Sequence, residues 1–200
     1  MNYDLLMQEE INKLDYTPTL LLHTCCAPCS SACLKRLGDY FFITILYYNP
    51  NITSKSEYEK RLLEVKKFIK EFKVKHEIKI IDSKYDPETF LEITKGMEDV
   101  PERGERCYKC YELRLLETLK VAEENNFDYF TTTLTLSPYK NVDWLNEIGM
   151  RISENSKVKF LNSDFKKKNG YKESIEFSKK YKLYRQDYCG CIYSKKEKRL

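Results

Sequence analysis

Residues 19–37 read TLLLHTCCAPCSSACLKRL: a short apolar run, a cluster of cysteines, and then a stretch of helical character. The run TLLLH at 19–23 is a strand candidate that ends at the cysteines. The following PCSSACLKRL predicts a helix, because proline is tolerated in a first turn, where its missing N–H has no partner to lose. This stretch therefore predicts a β-strand followed at once by an α-helix, with cysteines at the turn.

The same alternation continues along the chain. The run FFITILYY at 41–48 consists of β-forming residues and predicts a buried strand, and Ser54 with Glu57 predicts a capping box for the helix that follows. Further strands are predicted at 76–81, 127–135 and 157–161, and helices at 2–14, 54–72, after Pro87, and at 107–125, 141–154 and 170–182. This pattern predicts an α/β fold with one mostly parallel sheet covered by helices on both faces.

Length and composition favour a single globular domain over residues 1–200. We expect 1–18 to form a helical appendage and 185–200 to form a basic segment that carries cysteines, with an irregular end. The N-terminus is acidic and polar, and no apolar run approaches the roughly 20 residues that cross a bilayer. The sequence therefore predicts a cytoplasmic protein without membrane contact, in which thiols stay reduced and serve metal binding or catalysis.

Charge is distributed unevenly along the chain. Residues 1–155 hold 21 Lys and Arg against 26 Asp and Glu, whereas residues 156–200 hold 14 against 5, so the balances of −5 and +9 sum to the stated +4. A solvated lysine-rich surface explains this composition, and so does a basic face that binds a polyanion such as RNA. The lysines at 166–168 and 195–196 are the candidates for phosphate contacts.

The eight cysteines fall into three groups, each next to a predicted loop of the sheet. The groups are Cys25, Cys26, Cys29 and Cys33; Cys107 and Cys110; and Cys189 and Cys191. Cys33 follows Cys29 by one helical turn and is interpreted as a small buried side chain. The remaining seven thiols exceed the four that one zinc ion or one 4Fe-4S cluster takes from protein, so they suit two neighbouring metal centres. Adjacent residues of an extended chain face opposite ways, so in an extended chain Cys25 and Cys26 would face apart and could serve two neighbouring centres.

Several alternatives stay open at this point. A lone C-x-x-C also fits a thiol-redox pair, and structural zinc in an RNA-binding module fits the thiolates without any redox chemistry. With only two histidines in the chain, a histidine-based zinc enzyme is disfavoured. The glycine patterns that bind phosphates in nucleotide enzymes are absent from the sequence.

Motifs spread over residues 19–194 resemble one known family, the epoxyqueuosine reductases of the QueH type. They are LLLHTCCAPC, YYNPNI, EYEKR, ERGERCYKCYELRLLET, FTTTLTLSPYK, NEIG, DFKKKNGY and YRQDYCGCIYS, in this order. The sequence departs from the family pattern at Lys166, where arginine is expected; lysine clamps a phosphate less well than arginine does.

The resemblance implies an enzyme that removes the epoxide oxygen of epoxyqueuosine at the tRNA wobble position, without cobalamin, and a sheet similar to the adenine-nucleotide α-hydrolases. It further implies a 4Fe-4S cluster and a second metal, iron, at the carboxyl edge of the strands, and an electron donor that the sequence does not identify. Cys107 and Cys110 are assigned to the cluster with thiols from the other two groups, and the second metal takes the rest. Asp82 or Asp86 is a candidate to replace one thiol.

Substrate contacts are predicted from position alone. The candidates follow predicted strands or flank the cysteines: Asn49, Asn51, Arg106, Ser137, Tyr139, Lys140, Arg185 and Gln186. Each could contact the base, the cyclopentane diol or a phosphate. The alternative for each is an ordinary turn, since sequences such as NPN and SPYK form turns in any protein.

Overall fold

The computed structural model describes the backbone of residues 1–197 and the side chains of residues 1–195. Five strands form one parallel sheet in the order β3-β2-β1-β4-β5. They are β1 (Thr19–His23), β2 (Phe42–Tyr47), β3 (Lys79–Asp82), β4 (Tyr129–Thr132) and β5 (Lys159–Phe160). The predicted α/β class and parallel sheet are confirmed.

Helices connect the strands and cover the sheet. They are α1 (Tyr3–Asn12), α2 (Ala27–Leu37), α3 (Lys55–Glu71), α4 (Pro87–Ile93), α5 (Glu105–Glu124), α6 (Val142–Ser153), α7 (Gly170–Lys180) and α8 (Ile192–Glu197). The first strand, β1, is central. Strands β2 and β3 follow on one side of it, and β4 and β5 lie on the other side. Because the direction of winding reverses between β1 and β4, a crevice opens at their carboxyl ends, and such crevices are where ligands bind.

The central strand shows why these residues form a buried sheet. Leu20, Leu21 and Leu22 of β1 are fully buried. Leu20 and Leu22 pack into the core on one face, and Leu21 packs into the core on the other. Each such side chain contributes about 2 kcal/mol through burial. An uninterrupted apolar run is therefore what a strand covered on both faces requires.

Three local predictions were wrong. Strand β4 ends at Thr132, because the Thr132 hydroxyl accepts a hydrogen bond from the Leu134 amide and starts a 3-10 turn over Thr133–Leu136. The capping box at α3 does not form: the Ser54 side chain makes no cap hydrogen bond, and the Glu57 carboxylate instead pairs with Arg61. The end of the chain, expected to be irregular, contains α8.

Helix α1 belongs to the body of the fold rather than to an appendage. Met7 and Ile11 pack into the main hydrophobic core, and Asp4 pairs with Arg36 of α2. Residues 1–12 therefore share the core of the sheet. Within residues 1–197, no helix combines the length and the apolar character that crossing a bilayer demands.

The start of α7 depends on a glycine. A Cβ placed on Gly170 would lie 1.9 Å from the Phe165 carbonyl oxygen, a backbone atom that cannot swing aside. We expect Gly170→Ala to lower the free energy of unfolding by about 3 kcal/mol, measured by urea denaturation, because the added methyl group must displace the backbone. Lys172 lies on the same helix and is exposed. Lys172→Ala should change the free energy of unfolding by less than about 0.5 kcal/mol. Equal effects for both variants would contradict this explanation.

Candidate metal centre and substrate cavity

The first cysteine group lies where β1 passes into α2. The chain bends at Cys25 and is extended at Cys26, whose sulfur caps α2 by accepting a hydrogen bond from the Cys29 amide at 3.4 Å. The sulfurs of Cys25 and Cys26 are 3.7 Å apart. The sulfurs of Cys25, Cys26 and Cys29 all lie within 4.8 Å of one another. This trio can hold a metal ion. The expectation that Cys25 and Cys26 face apart was wrong, because the bend turns both thiols to one side.

The second group lies on the first two turns of α5. Cys110 is buried, and Cys107 is partly exposed, with its sulfur accepting a hydrogen bond from the Arg103 amide at 3.3 Å. Burial raises the pKa of both thiols. Cys110 also packs against Cys191 in a small apolar cluster. Helix α5 therefore brings its thiols next to the third group, about 80 residues later in the chain.

The third group lies on a tight loop. Gly190 adopts φ +114, a conformation that favours glycine, and lets the chain turn between Cys189 and Cys191. The Arg61 guanidinium holds this loop by donating to the Cys189 carbonyl at 3.1 Å and to the Tyr188 carbonyl at 3.4 Å. Arg61 is itself buried and paired with Glu57 at 2.7 Å. The loop is thus attached to α3 through a buried ion pair.

Two cations face the thiols. The Lys140 ammonium donates to the Cys189 sulfur at 3.2 Å, and Arg114 lies near Cys110, with its Nη1 atom 3.9 Å from the sulfur. A hydrogen bond from Cys191, together with these two positive charges, holds the pKa of Cys189 well below its usual range. Hydrogen bonds from Cys26 and Cys29, and the same two cations, lower the pKa of Cys25. The two cations therefore favour the thiolate form, which binds metals, at Cys25 and Cys189.

A cavity of about 430 Å³ opens among these groups. Cys25, Cys29 and Cys189 line it, together with Arg114. Five of the predicted substrate-contact residues also line it: Ser137, Tyr139, Lys140, Arg185 and Gln186. The Gln186 amide donates to the Cys26 sulfur at 3.0 Å, while its buried carbonyl oxygen has no hydrogen-bond partner among the described residues. The structure thus brings the cysteines and most of the predicted contact residues to one place.

Three predicted contact residues lie outside the cavity lining. The guanidinium of Arg106 is buried against the carbonyls of Met97, Glu98 and Val100, so it supports the loop before α5 and does not reach the cavity. Asn49 is buried between Arg114 and the Thr24 carbonyl. Asn51 is buried behind Cys189, with its amide nitrogen 3.9 Å from that sulfur and its carbonyl oxygen without a partner. The expectation of direct substrate contact does not fit these positions.

The predicted carboxylate ligands are occupied elsewhere. The Asp82 carboxylate pairs with Lys66 at 2.8 Å on the surface, and the Asp86 carboxylate caps α4 through Thr89. Cys33 lies in the main core with its thiol donating to the Cys29 carbonyl, as its structural interpretation predicted.

The lysines predicted to bind phosphate differ in their surroundings. Lys166 is engaged with Asp164 at 2.8 Å and with the Thr135 carbonyl at 3.1 Å, so it supports the turn after β4. Lys168 lies 3.7 Å from Asp4, whereas Lys167 and Lys195 are exposed. The side chain of Lys196 lies outside the described part of the chain.

The most informative residue that sequence reasoning missed is a cation. Arg114 lies one helical turn after Cys110, a spacing that was visible in the sequence but gave no reason to single it out. Tyr171 and Tyr188 line the cavity from segments far apart in sequence. Their placement depends on how α7 and the C-terminal segment pack, and no local pattern encodes it.

Comparison with known proteins agrees with this site. The family model described as epoxyqueuosine reductase QueH matches residues 20–197. An epoxyqueuosine reductase QueH of Streptococcus pyogenes is 39% identical over 201 residues, covering 98% of this chain and 79% of its own. Proteins of the same name from Staphylococcus epidermidis and Thermotoga maritima are 41% and 35% identical, covering 97% and 90% of this chain and 84% and 92% of their own. The chain therefore belongs to the epoxyqueuosine reductase QueH family.

Proposed function

We propose that this chain is an oxidoreductase that converts epoxyqueuosine to queuosine at the wobble position of tRNA, without cobalamin. In this reaction both C–O bonds of the epoxide break, a carbon–carbon double bond forms, and two electrons with two protons carry the oxygen away as water. The two electrons are delivered one at a time by an external electron donor. The observation that carries the proposal is that Cys25, Cys29 and Cys189, from the β1–α2 turn and the C-terminal loop, line one cavity together with Arg114 and Lys140. The Cys110 sulfur of α5 lies 3.9 Å from Nη1 of the same Arg114.

The donor set fits a low-potential metal site. Thiolates are the ligands that iron–sulfur clusters take from proteins, and no disulfide joins the cysteines in the described part of the chain. We assign Cys107 and Cys110 to a 4Fe-4S cluster together with thiols of the other two groups, and the remaining thiols to an iron ion. When bound by these thiols, the cluster would supply single electrons and the iron ion would supply Lewis-acid chemistry toward the epoxide oxygen.

The protein's own residues bind and orient the substrate. A cavity of about 430 Å³ is in the range that holds a small ligand or an extruded nucleobase. Tyr139 is 66% exposed at the cavity, where its ring can stack on an unpaired base of the anticodon loop. Ser137, Arg185 and Gln186 place hydrogen-bonding groups at the cavity wall. Exposed Lys167 and Lys195 are suited to phosphate contacts outside it.

The remaining assignments follow from this function. The strand order supports the assignment to the adenine-nucleotide α-hydrolase-like sheets, in which the first strand is central and the order reverses beside it. Free thiols at all seven candidate cysteines are typical of a reducing compartment, which supports a cytoplasmic location. We propose that residues 1–200 act as one domain.

Metal removal tests the proposal. Protein purified without air and reconstituted with iron and sulfide should be brown, should bleach on reduction, and should remove one oxygen from the base of epoxyqueuosine-containing tRNA supplied with a strong reductant. Chelation of the iron should lower the rate at least 100-fold, because no side chain replaces the lost electron carrier. The measurements are iron content, visible absorbance and nucleoside mass.

The alternatives make different predictions in the same experiment. A zinc-binding RNA module gives a colourless protein that binds tRNA and leaves the nucleoside mass unchanged. A thiol-redox enzyme acting through Cys107 and Cys110 keeps its activity after iron chelation. Either result would overturn the proposed function.

A further inference from the structure

Arg114 is a fully enclosed cation at the wall of the cavity. Its side chain leaves α5 one turn after Cys110, and the residue is 1% exposed. Its Nη2 atom donates to the Asn49 carbonyl oxygen at 2.8 Å and its Nε atom to the His23 ring at 3.3 Å, while Nη1 lies 3.9 Å from the Cys110 sulfur. The guanidinium is therefore held in one orientation from three sides.

None of these partners carries a negative charge from a carboxylate. Asn49 is neutral, and burial together with the Arg114 charge lowers the pKa of His23 to about 3, so that ring is neutral as well. Within the described residues Arg114 forms no ion pair with an acidic side chain, whereas buried Arg61 pairs with Glu57 and Arg36 with Asp4. An enclosed charge without a partner is strongly destabilising, so a negative group is expected beside Arg114.

The thiols are the groups available to supply that charge. When deprotonated by a metal, Cys110, Cys25 and Cys189 would each interact favourably with the Arg114 guanidinium, and the Cys110 sulfur lies 3.9 Å from its Nη1 atom. The residue also links two of the cysteine groups mechanically. Asn49, which it holds, donates from its amide to the Thr24 carbonyl at 2.8 Å, next to Cys25. Arg114 thus connects the α5 cysteines with the β1–α2 turn.

We propose that Arg114 is a positioning residue that supplies the counter-charge for a negatively charged, thiolate-ligated metal centre and thereby raises its reduction potential. Reduction adds a negative charge to such a centre, and a fixed positive charge nearby stabilises the reduced form more than the oxidised form. This inference rests on the proposed function, because it requires metal at the thiols.

Replacement of the charge provides the test. After anaerobic reconstitution of the full chain with iron and sulfide, Arg114→Met should lower the equilibrium constant for one-electron reduction at least tenfold, a shift of about 59 mV to lower potential. Arg114→Lys keeps the positive charge at this enclosed site. Its equilibrium constant for one-electron reduction should therefore stay within about threefold of the wild-type value. The measurement is a redox titration followed by visible absorbance.

Stability gives a second readout that a purely structural role would not produce. Without iron, Arg114→Met should be close to wild type in stability toward urea, because the lost hydrogen bonds to Asn49 and His23 are offset by removal of an enclosed charge that lacks a carboxylate. With iron bound, the same variant should be less stable than wild type. The control is Arg36→Met, whose charge is balanced by Asp4. It should destabilise both forms equally and leave the potential unchanged.

The outcomes separate this inference from the proposed function. Wild-type protein that takes up no iron would overturn both. Iron-loaded wild type and Arg114→Met with equal potentials would overturn the role of Arg114 alone. If Arg114→Met does not fold, Asn49→Asp places a carboxylate at the position that now accepts from Arg114, and it should lower the potential in the same direction. An unchanged potential in that variant would count against the inference.

Discussion

Cys107→Ala is expected to abolish iron binding and turnover together. Cys107 is partly exposed in the first turn of α5, where the Arg103 amide donates to its sulfur at 3.3 Å. A cluster has few ligands and loses stability when one thiolate is missing. We expect less than about a tenth of the wild-type iron content and at least a 100-fold loss in the rate of oxygen removal, since electron transfer depends on the intact centre. Iron analysis and nucleoside mass measure the two effects.

A second cysteine provides the matched control. Cys33 is as deeply buried as any residue of the chain, but it lies in the main core with its thiol donating to the Cys29 carbonyl. Cys33→Ala should cost about 1 kcal/mol of unfolding free energy and leave the iron content unchanged. Wild-type colour and turnover in Cys107→Ala would remove this residue from the centre. Loss of iron in both variants would mean that general destabilisation, not ligand loss, explains the result.

Arg61→Met is expected to have the largest effect on stability. The Arg61 side chain is 1% exposed, pairs with Glu57 at 2.7 Å, and donates to the carbonyls of Cys189 and Tyr188. Its removal leaves a largely buried carboxylate and two carbonyls without their donor. Breaking a buried ion pair from one side costs about 3–5 kcal/mol, so the urea midpoint should fall substantially. The same change should loosen the loop that carries Cys189 and Cys191.

The control for this variant lies on the same helix. Lys66 of α3 pairs with Asp82 at 2.8 Å, but both side chains are more than a third exposed. Lys66→Met should therefore change stability by less than about 1 kcal/mol. If Arg61→Met also costs less than about 1 kcal/mol, the buried pair does not hold the C-terminal loop. Proteolysis of the folded variants after residue 185 would report the loosening of the loop directly.

The sequence was sufficient for the architecture because each element carries its own signal. The apolar runs at 19–23 and 41–48 favour largely buried strands, and the intervening PCSSACLKRL has the composition of a helix. Alternation of the two types leaves few arrangements other than a parallel sheet with helical crossovers. Strand ends were less certain, since hydrogen bonds such as the one at Thr132 terminate a strand inside an apolar run.

The sequence alone also determined which cysteines were candidates, because three spaced groups in one chain exceed what packing explains. Only the tertiary structure decided how they are arranged. The bend at Cys25 places its sulfur 3.7 Å from that of Cys26, which an extended chain would forbid. Arg114 comes from α5 and Lys140 from the loop before α6, and only the packing of the fold brings both to the thiols. Charge acts through space, so the electrostatics of a site emerge from packing and cannot be read from spacing along the chain.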